Sequence, residues 1–224
     1  MIDAGSTAND AYNFACSLGI NKLDALVITS FRTDSIAGAS KLVSSLDIEK
    51  VILPTSDDSC KTVAIKKIEK TVTNSQSQTV YQNQNTSFSF GTATVSIFIS
   101  QNVKYADDAD WSSLAVKVEC NNSSVLIMGS MTAENSAALI TSGAISHSDI
   151  IIASNHGNYG YTTAEFVTAL GADTVIMTYS SASFIEDSKQ LENELLAINV
   201  TVIRTSADKG ASFTSVENGF VALP

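Results

Sequence analysis

The sequence predicts an α/β fold, on three observations. Short apolar runs of strand length alternate with segments whose apolar residues recur at helical spacing, the pattern of strand, helix and parallel strand. The middle of the chain switches to consecutive strands. With 224 residues, 44% hydrophobic side chains and a mean hydropathy of +0.14, the chain can bury a sizeable core.

Met1-Ile2-Asp3-Ala4-Gly5 reads as the tail of a strand entering a loop. Thr7-Ala8-Asn9-Asp10 resembles a capping box, and Ala11, Phe14, Ala15 and Leu18 follow at helical spacing until Gly19 ends the helix. Residues 23–29 form a buried strand, 36–46 a second helix, and 51–53 a second strand stopped by Pro54. Residues 55–70 read as a helix capped within 56–59, and 71–87, rich in Ser, Thr, Gln and Asn, as a connecting stretch. Strands follow at 92–99, 114–120 and 124–128, with Asn121-Asn122 as the turn. Helices are expected at 130–141, 163–170 (stopped by Gly171) and 187–197. Further strands are expected at 150–153, 174–179, 200–203, 212–216 and 220–223. No linker interrupts the pattern, so residues 1–224 read as a single domain with α/β character at both ends.

Composition excludes several functions. A net charge of −10 and a pI of about 4.5 disfavour sequence-independent binding to nucleic acid or anionic lipid. Lys66, Lys67 and Lys70 at helical spacing read as a solvated face, and only Arg32 and Arg204 are available as phosphate clamps. No apolar run reaches the roughly 18 residues of a membrane span. Cys16, Cys60 and Cys120 are odd in number and widely spaced, which suits small buried hydrophobes better than a disulfide set. The chain carries 32 Ser, 21 Thr and 15 Asn but few Lys and Arg, a bias that favours an extracellular or cell-surface setting. Its two histidines, His147 and His156, already make a histidine-rich metal cluster difficult.

Several blocks, in order, resemble the metallo-β-lactamase fold superfamily, and within it the hydrolase-like domain of ComEC-type DNA-uptake (competence) proteins. They are Ile2-Asp3-Ala4-Gly5, the strand Leu23-Asp24-Ala25-Leu26-Val27-Ile28-Thr29, Trp111 to Val118, Val125-Leu126-Ile127-Met128-Gly129-Ser130, and Asn155-His156-Gly157-Asn158. The resemblance implies a four-layered αββα sandwich. It also implies a chain that starts inside the Asp-x-Gly block, with the N-terminal strands missing or replaced by a paired, oligomer-forming edge.

The same resemblance implies a metal motif His-x-His-x-Asp-His after Thr29. Here Ser30, Arg32 and Ser35 stand at the histidine positions and only Asp34 is kept. Ser130 stands where the resemblance implies aspartate, Asn155 where it implies histidine, His156 remains, and residues 183–187 lack a histidine. Paired divalent metals need imidazole and carboxylate ligands to generate hydroxide at neutral pH. Arg32 instead puts a permanent cation there, and like charges about 4 Å apart repel by roughly 4 kcal/mol at an effective dielectric of 20. The expectation is therefore no catalytic residue, no metal and no cofactor. The vestigial pocket would comprise Ser30, Arg32, Asp34, Ser35, Ser130, Asn155 and His156.

Local alternatives stand beside this expectation. Asp34 either ligates a metal or bonds Arg32 and caps the following helix. His156 could serve Ser30, Ser35 or Ser130 as a base. His147 reads as an exposed loop residue; Asp107, Asp108 and Asp110 as a solvated loop more than a calcium site; Tyr159, Tyr161 and Trp111 either line a pocket or pack. The function expected is a catalytically degenerate domain that binds a small molecule or a protein, or serves structurally within a larger surface protein. The alternatives are a metal-dependent hydrolase or phosphodiesterase, using zinc or manganese held by ligands drawn from Asp3, Asp34, His156 and other acids, and an oligomeric scaffold.

Overall fold

Parallel strands need a connection long enough to cross the sheet, and the N-terminal part supplies helices for two such crossings. The structure, a computed structural model, describes residues 1–55, 61–100, 112–178, 183–205, 211–216 and 219–222. The chain divides into two compact units. The first holds residues 1–84 and 103–114, the second residues 85–102 and 115–224.

In the first unit, helix α1 (Asp10–Ser17) precedes strand β1 (Lys22–Val27). Helices α2 (Thr33–Ile36) and α3 (Ala39–Ser45) lead to β2 (Asp47–Pro54), and α4 (Val63–Thr73) leads to β3 (Gln78–Gln82). The strands are parallel in the order β1-β2-β3, with Leu26 opposite Val51 and Ile52 opposite Val80. Ile2 adds a parallel bridge to Val27, as the opening block predicts. Leu26, Ile28, Leu42, Val51, Leu53 and Ile68 are wholly buried. Helix α4 turns Ile65, Ile68 and Val72 inward and leaves Lys66, Lys67 and Lys70 exposed, the solvated face expected.

Several expectations are corrected here. The capping box before α1 does not form, because Asn9 takes a helical conformation and makes no side-chain cap. The expected helix 36–46 is two helices, starting at Thr33 and broken at Ala37-Gly38. At Gly38 the backbone lies so close to the Ala4 carbonyl oxygen that no side chain fits. Helix α4 starts at Val63, where Thr62 accepts from the Ile65 N–H (3.3 Å). The expected caps 56–59 fall outside the described residues, as do Cys60, Asp107, Asp108, Asp110 and Trp111. The stretch 71–87 holds the last turn of α4, all of β3 and the start of the next strand. Its Ser/Thr/Gln alternation is too polar to advertise an edge strand. Cys16 is exposed and Cys120 half-buried, so neither is the buried hydrophobe expected.

The second unit carries a seven-stranded sheet. Its strands are β4 (Thr86–Phe90), β5 (Ala93–Ile99), β6 (Leu114–Cys120), β7 (Ser123–Ile127), β8 (Ile150–Ile152), β9 (Thr174–Met177) and β10 (Thr201–Arg204). The spatial order is β10-β9-β8-β7-β6-β5-β4. β7 to β10 are parallel, with helices α5 (Ala133–Thr141), α6 (Ala164–Leu170) and α7 (Ser183–Ala197) on the crossings. β6 and β7 form a hairpin whose turn residues Asn121 and Asn122 both have positive φ (51° and 60°), the left-handed pair that a tight hairpin needs. Its core gathers Leu126, Met128, Met131, Leu139, Ile151, Val167, Val175 and Leu191. A terminal hairpin, β11 (Phe213–Val216) and β12 (Gly219–Ala222), hangs on Ser123, whose Oγ donates to the Val216 carbonyl (3.3 Å) and accepts from the Gly219 N–H (2.9 Å). No helix among the described residues is long and apolar enough to cross a membrane.

Candidate functional site

Each unit gathers some of the residues predicted from sequence. In the first, the chain leaves β1 at Val27 and turns at Thr29 and Ser30, both wholly buried. Asp3 holds this turn: Oδ1 accepts from the Thr29 N–H and Oδ2 from the Thr29 hydroxyl, both at 2.7 Å. The Asp3 N–H donates to the Val27 carbonyl and the Ala4 N–H to the Ser35 carbonyl (2.8 Å each), while Ser113 Oγ donates to the Thr29 carbonyl (3.1 Å). Asp3 has a φ of 58°, a left-handed conformation that Asp tolerates better than most residues.

Ser30 and Ser35 face each other, with Ser30 Oγ donating to Ser35 Oγ at 3.2 Å and accepting from the Arg32 N–H at 3.3 Å. Arg32 is the N-cap residue of α2 and contributes no side-chain cap; its Nε lies 3.5 Å from Asp34 Oδ2. Asp34 thus adopts the Arg32-bonded alternative and sits in the first turn of α2, where a carboxylate suits the helix dipole. Structure therefore brings Ser30, Arg32, Asp34 and Ser35 into one hydrogen-bonded turn.

In the second unit, β8 runs into a 3₁₀ turn, Ser154–Gly157. Asn155 (φ 45°, ψ 47°) and His156 (φ 63°, ψ 11°) are both left-handed. Asn155 accepts the strain readily; His156 does so at some cost. The Asn155 N–H donates to the carbonyl of Gly129 (2.8 Å), the residue before the buried Ser130. Ser154 Oγ donates to the Met131 carbonyl (2.6 Å), and the Ser154 N–H to Thr162 Oγ1 (2.9 Å). His156 Nδ1 lies 2.8 Å from Thr178 Oγ1. Gly157 (φ 91°) packs against Met177 so closely that a Cβ would come within 2.8 Å of Met177 Cγ. Two acceptors in this turn, Asn155 Oδ1 and Asn158 Oδ1, are buried and have no hydrogen-bond partner among the described residues. Tyr159 is half exposed beside them.

Sequence reasoning missed Asp3 as the clamp on Thr29 and Thr178 as the partner of His156. The Asn-His-Gly run at the end of an apolar strand was the available signal for a left-handed turn. His147 is the exposed loop residue expected, and its ring is held in place: Nδ1 lies 2.9 Å from the Leu170 carbonyl and Nε2 3.3 Å from Asp149 Oδ1. Burial raises the Asp149 pKa, but the Ser124 N–H (2.6 Å), the Ser124 hydroxyl (3.0 Å) and His147 outweigh it and hold the carboxyl below its ordinary value. Among the described residues, no three His, Cys, Asp or Glu side chains gather in a group able to hold a metal ion.

Comparison with solved structures settles the fold. YhfI, a metallo-β-lactamase fold protein from Bacillus subtilis, matches with a TM-score of 0.58 at 12% identity, covering 91% of this chain and 82% of YhfI. The chain has the metallo-β-lactamase fold. Zn²⁺-bound PqqB from Methylobacterium extorquens agrees (TM-score 0.57, 11% identity, 91% of this chain and 80% of PqqB). So does CmlA, a diiron β-hydroxylase from Streptomyces venezuelae (0.57, 15% identity, 82% of this chain), of which the match spans only 44%. No family model matches the chain. No curated protein matches it either.

Proposed function

We propose that this metallo-β-lactamase-fold chain works by binding and not by metal-dependent catalysis, as a degenerate member of the superfamily. The observation that carries the reading is the turn Ser30 to Ser35. The carboxylate a metal would need, Asp34, is engaged by the Arg32 guanidinium at 3.5 Å, and the flanking side chains are neutral hydroxyls bonded to each other. This donor set does not fit a dication: serine is a poor neutral ligand, and Arg32 repels the ion by the few kcal/mol estimated above. Asp3, another candidate ligand, has both oxygens committed to Thr29.

A binding role has independent support in the second unit. Leaving a buried acceptor without a partner costs about 1–3 kcal/mol, and Asn155 Oδ1 does so in a strained turn. A ligand or partner that offers an N–H or O–H there recovers that cost. The abundance of Ser, Thr and Asn supports an extracellular setting, and the resemblance of the ordered blocks to ComEC-type domains supports a place in a larger protein of that kind.

The second reading, a metal-dependent hydrolase, is favoured by the fold neighbours, since PqqB is described as Zn²⁺-bound and CmlA as diiron. Elemental analysis of protein purified without chelator, with a phosphodiesterase assay in added manganese, separates the two. The expected result is far less than stoichiometric metal and no metal-dependent turnover. Near-stoichiometric zinc, manganese or iron, or turnover lost in Asp34→Ala or His156→Ala, would overturn the proposal.

A further inference from the structure

We infer that a cavity in the first unit, remote from the Thr29 turn, binds a neutral polyhydroxyl ligand of saccharide size. β1 starts at Lys22, in register with Asp47 at the start of β2, and ends at Val27 before the Thr29 turn. Asp47 lines the cavity, which therefore opens at the opposite end of the sheet from that turn. Its volume is about 580 Å³, within the range of small-molecule sites.

The wall is rich in hydrogen-bond acceptors. Helices α3 and α4 end here, at Ser45 and Thr73, and helix C-termini direct orphan carbonyls and the negative end of the dipole outward. Three of the hydroxyl protons around the cavity are already used by helix carbonyls. Ser44 Oγ donates to the Lys41 carbonyl (3.2 Å), Thr71 Oγ1 to the Lys67 carbonyl (2.8 Å) and Ser75 Oγ to the Val72 carbonyl (2.8 Å). What these oxygens present to a ligand is lone pairs. The amides of Asn74 and Gln76 add both donors and acceptors.

Charge then selects among donor-rich ligands. Lys70 and Asp47 are the charged residues lining the cavity, and they cancel; Asp47 also lies 3.9 Å from Lys22. With Lys22 beside Asp47, the two lysines offset that carboxylate and the negative helix ends together, so neither an ammonium ion nor a phosphate meets a net opposite charge, whereas a polyol satisfies acceptors without one. Val43 and Ile48, both buried, line the same cavity and supply an apolar surface for the C–H face of a sugar ring.

The test is a ¹H–¹⁵N NMR titration of the full chain with glucose, N-acetylglucosamine and their β-1,4-linked dimers, beside putrescine and inorganic phosphate. The expected result is saturable shifts with a saccharide, confined to residues 43–48 and 70–77. Asn74 already has helical φ and ψ, so Asn74→Ala keeps the fold and should weaken binding about fivefold, the loss of one hydrogen bond. Ser44→Trp, at an exposed position, should fill the mouth and abolish it. Asn155→Gly, which keeps the left-handed backbone but removes the side chain on which the binding role above rests, should leave it unchanged, which separates the two sites. No saturable shift with any saccharide, equal response to putrescine or phosphate, or unaltered affinity in both cavity variants would overturn the inference.

Discussion

Asp3 separates a structural clamp from a metal ligand, because the two roles predict different losses when it is replaced. Asp3→Ala removes two charge-assisted acceptors, each 2.7 Å from its donor, and leaves the Thr29 N–H buried with Thr29 at zero exposure. Hydrogen bonds to a charged group contribute about 1.5–3 kcal/mol each, and two on one residue are not additive. Alanine at a φ of 58° adds about 1 kcal/mol of backbone strain. The sum predicts a loss of about 3–5 kcal/mol. Asp3→Asn keeps an acceptor for the N–H, lets the Thr29 hydroxyl rotate to accept from the new amide, and tolerates the left-handed backbone, so it should cost about 1–2 kcal/mol. Thr29→Val removes only the hydroxyl.

Urea unfolding followed by circular dichroism gives each value, and a double-mutant cycle of Asp3→Asn with Thr29→Val should show coupling of about 0.5–1.5 kcal/mol. Chelator should leave the wild-type midpoint where it is. A loss below 1 kcal/mol in Asp3→Ala, zero coupling, or a chelator-induced drop comparable to the substitution would refute the clamp.

Two further predictions concern the second unit. The folded Asp149 carboxyl is held below its unfolded value, so its contribution is complete above pH ~4 and disappears as pH falls through the folded value; Asp149→Asn should therefore lower the urea midpoint at pH 7, with the gap to wild type closing in acid, and a pH-independent gap would contradict this. Gly157→Ala combines a left-handed alanine with a 2.8 Å approach to Met177 Cγ and should cost about 2–4 kcal/mol, partly recovered in the double variant with Met177→Ala; a thermal melt equal to wild type would show the contact to be soft.

The fold was legible where apolar periodicity is strong. β1, β6, β7 and α6 fall within two residues of their sequence positions, and the Asn121-Asn122 turn was readable because two left-handed residues are what asparagine tolerates. β3 and β4 were not legible, since their faces are half-exposed and filled with Ser, Thr and Gln. The break in the 36–46 helix was hidden because it falls where Ala4, more than thirty residues away in sequence, packs against Gly38. At the candidate site, the Arg32–Asp34 pair was foreseen from a spacing of two. The commitment of Asp3 to Thr29 and of His156 to Thr178 depends on strand register across 26 and 22 residues, which composition does not encode.

The two groups of site residues also differ in what their geometry asks of a partner. In the Ser30 to Ser35 turn hydroxyl bonds hydroxyl and guanidinium faces carboxylate. Arg32 works against a cation there. The Asn155-His156 turn is different. It holds two adjacent non-glycine residues at positive φ, Asn155 at little cost and His156 at about 1–3 kcal/mol, and buries two carbonyl oxygens without donors among the described residues. A turn kept only to connect β8 to α6 would be relieved by glycine at position 156 and by apolar side chains at 155 and 158. Strain and orphaned acceptors coincide in the same few residues, and a donor brought by a ligand answers the second while the surrounding contacts to Gly129, Met131 and Thr162 maintain the first. For that reason the binding role proposed here is placed on Asn155 and its neighbours.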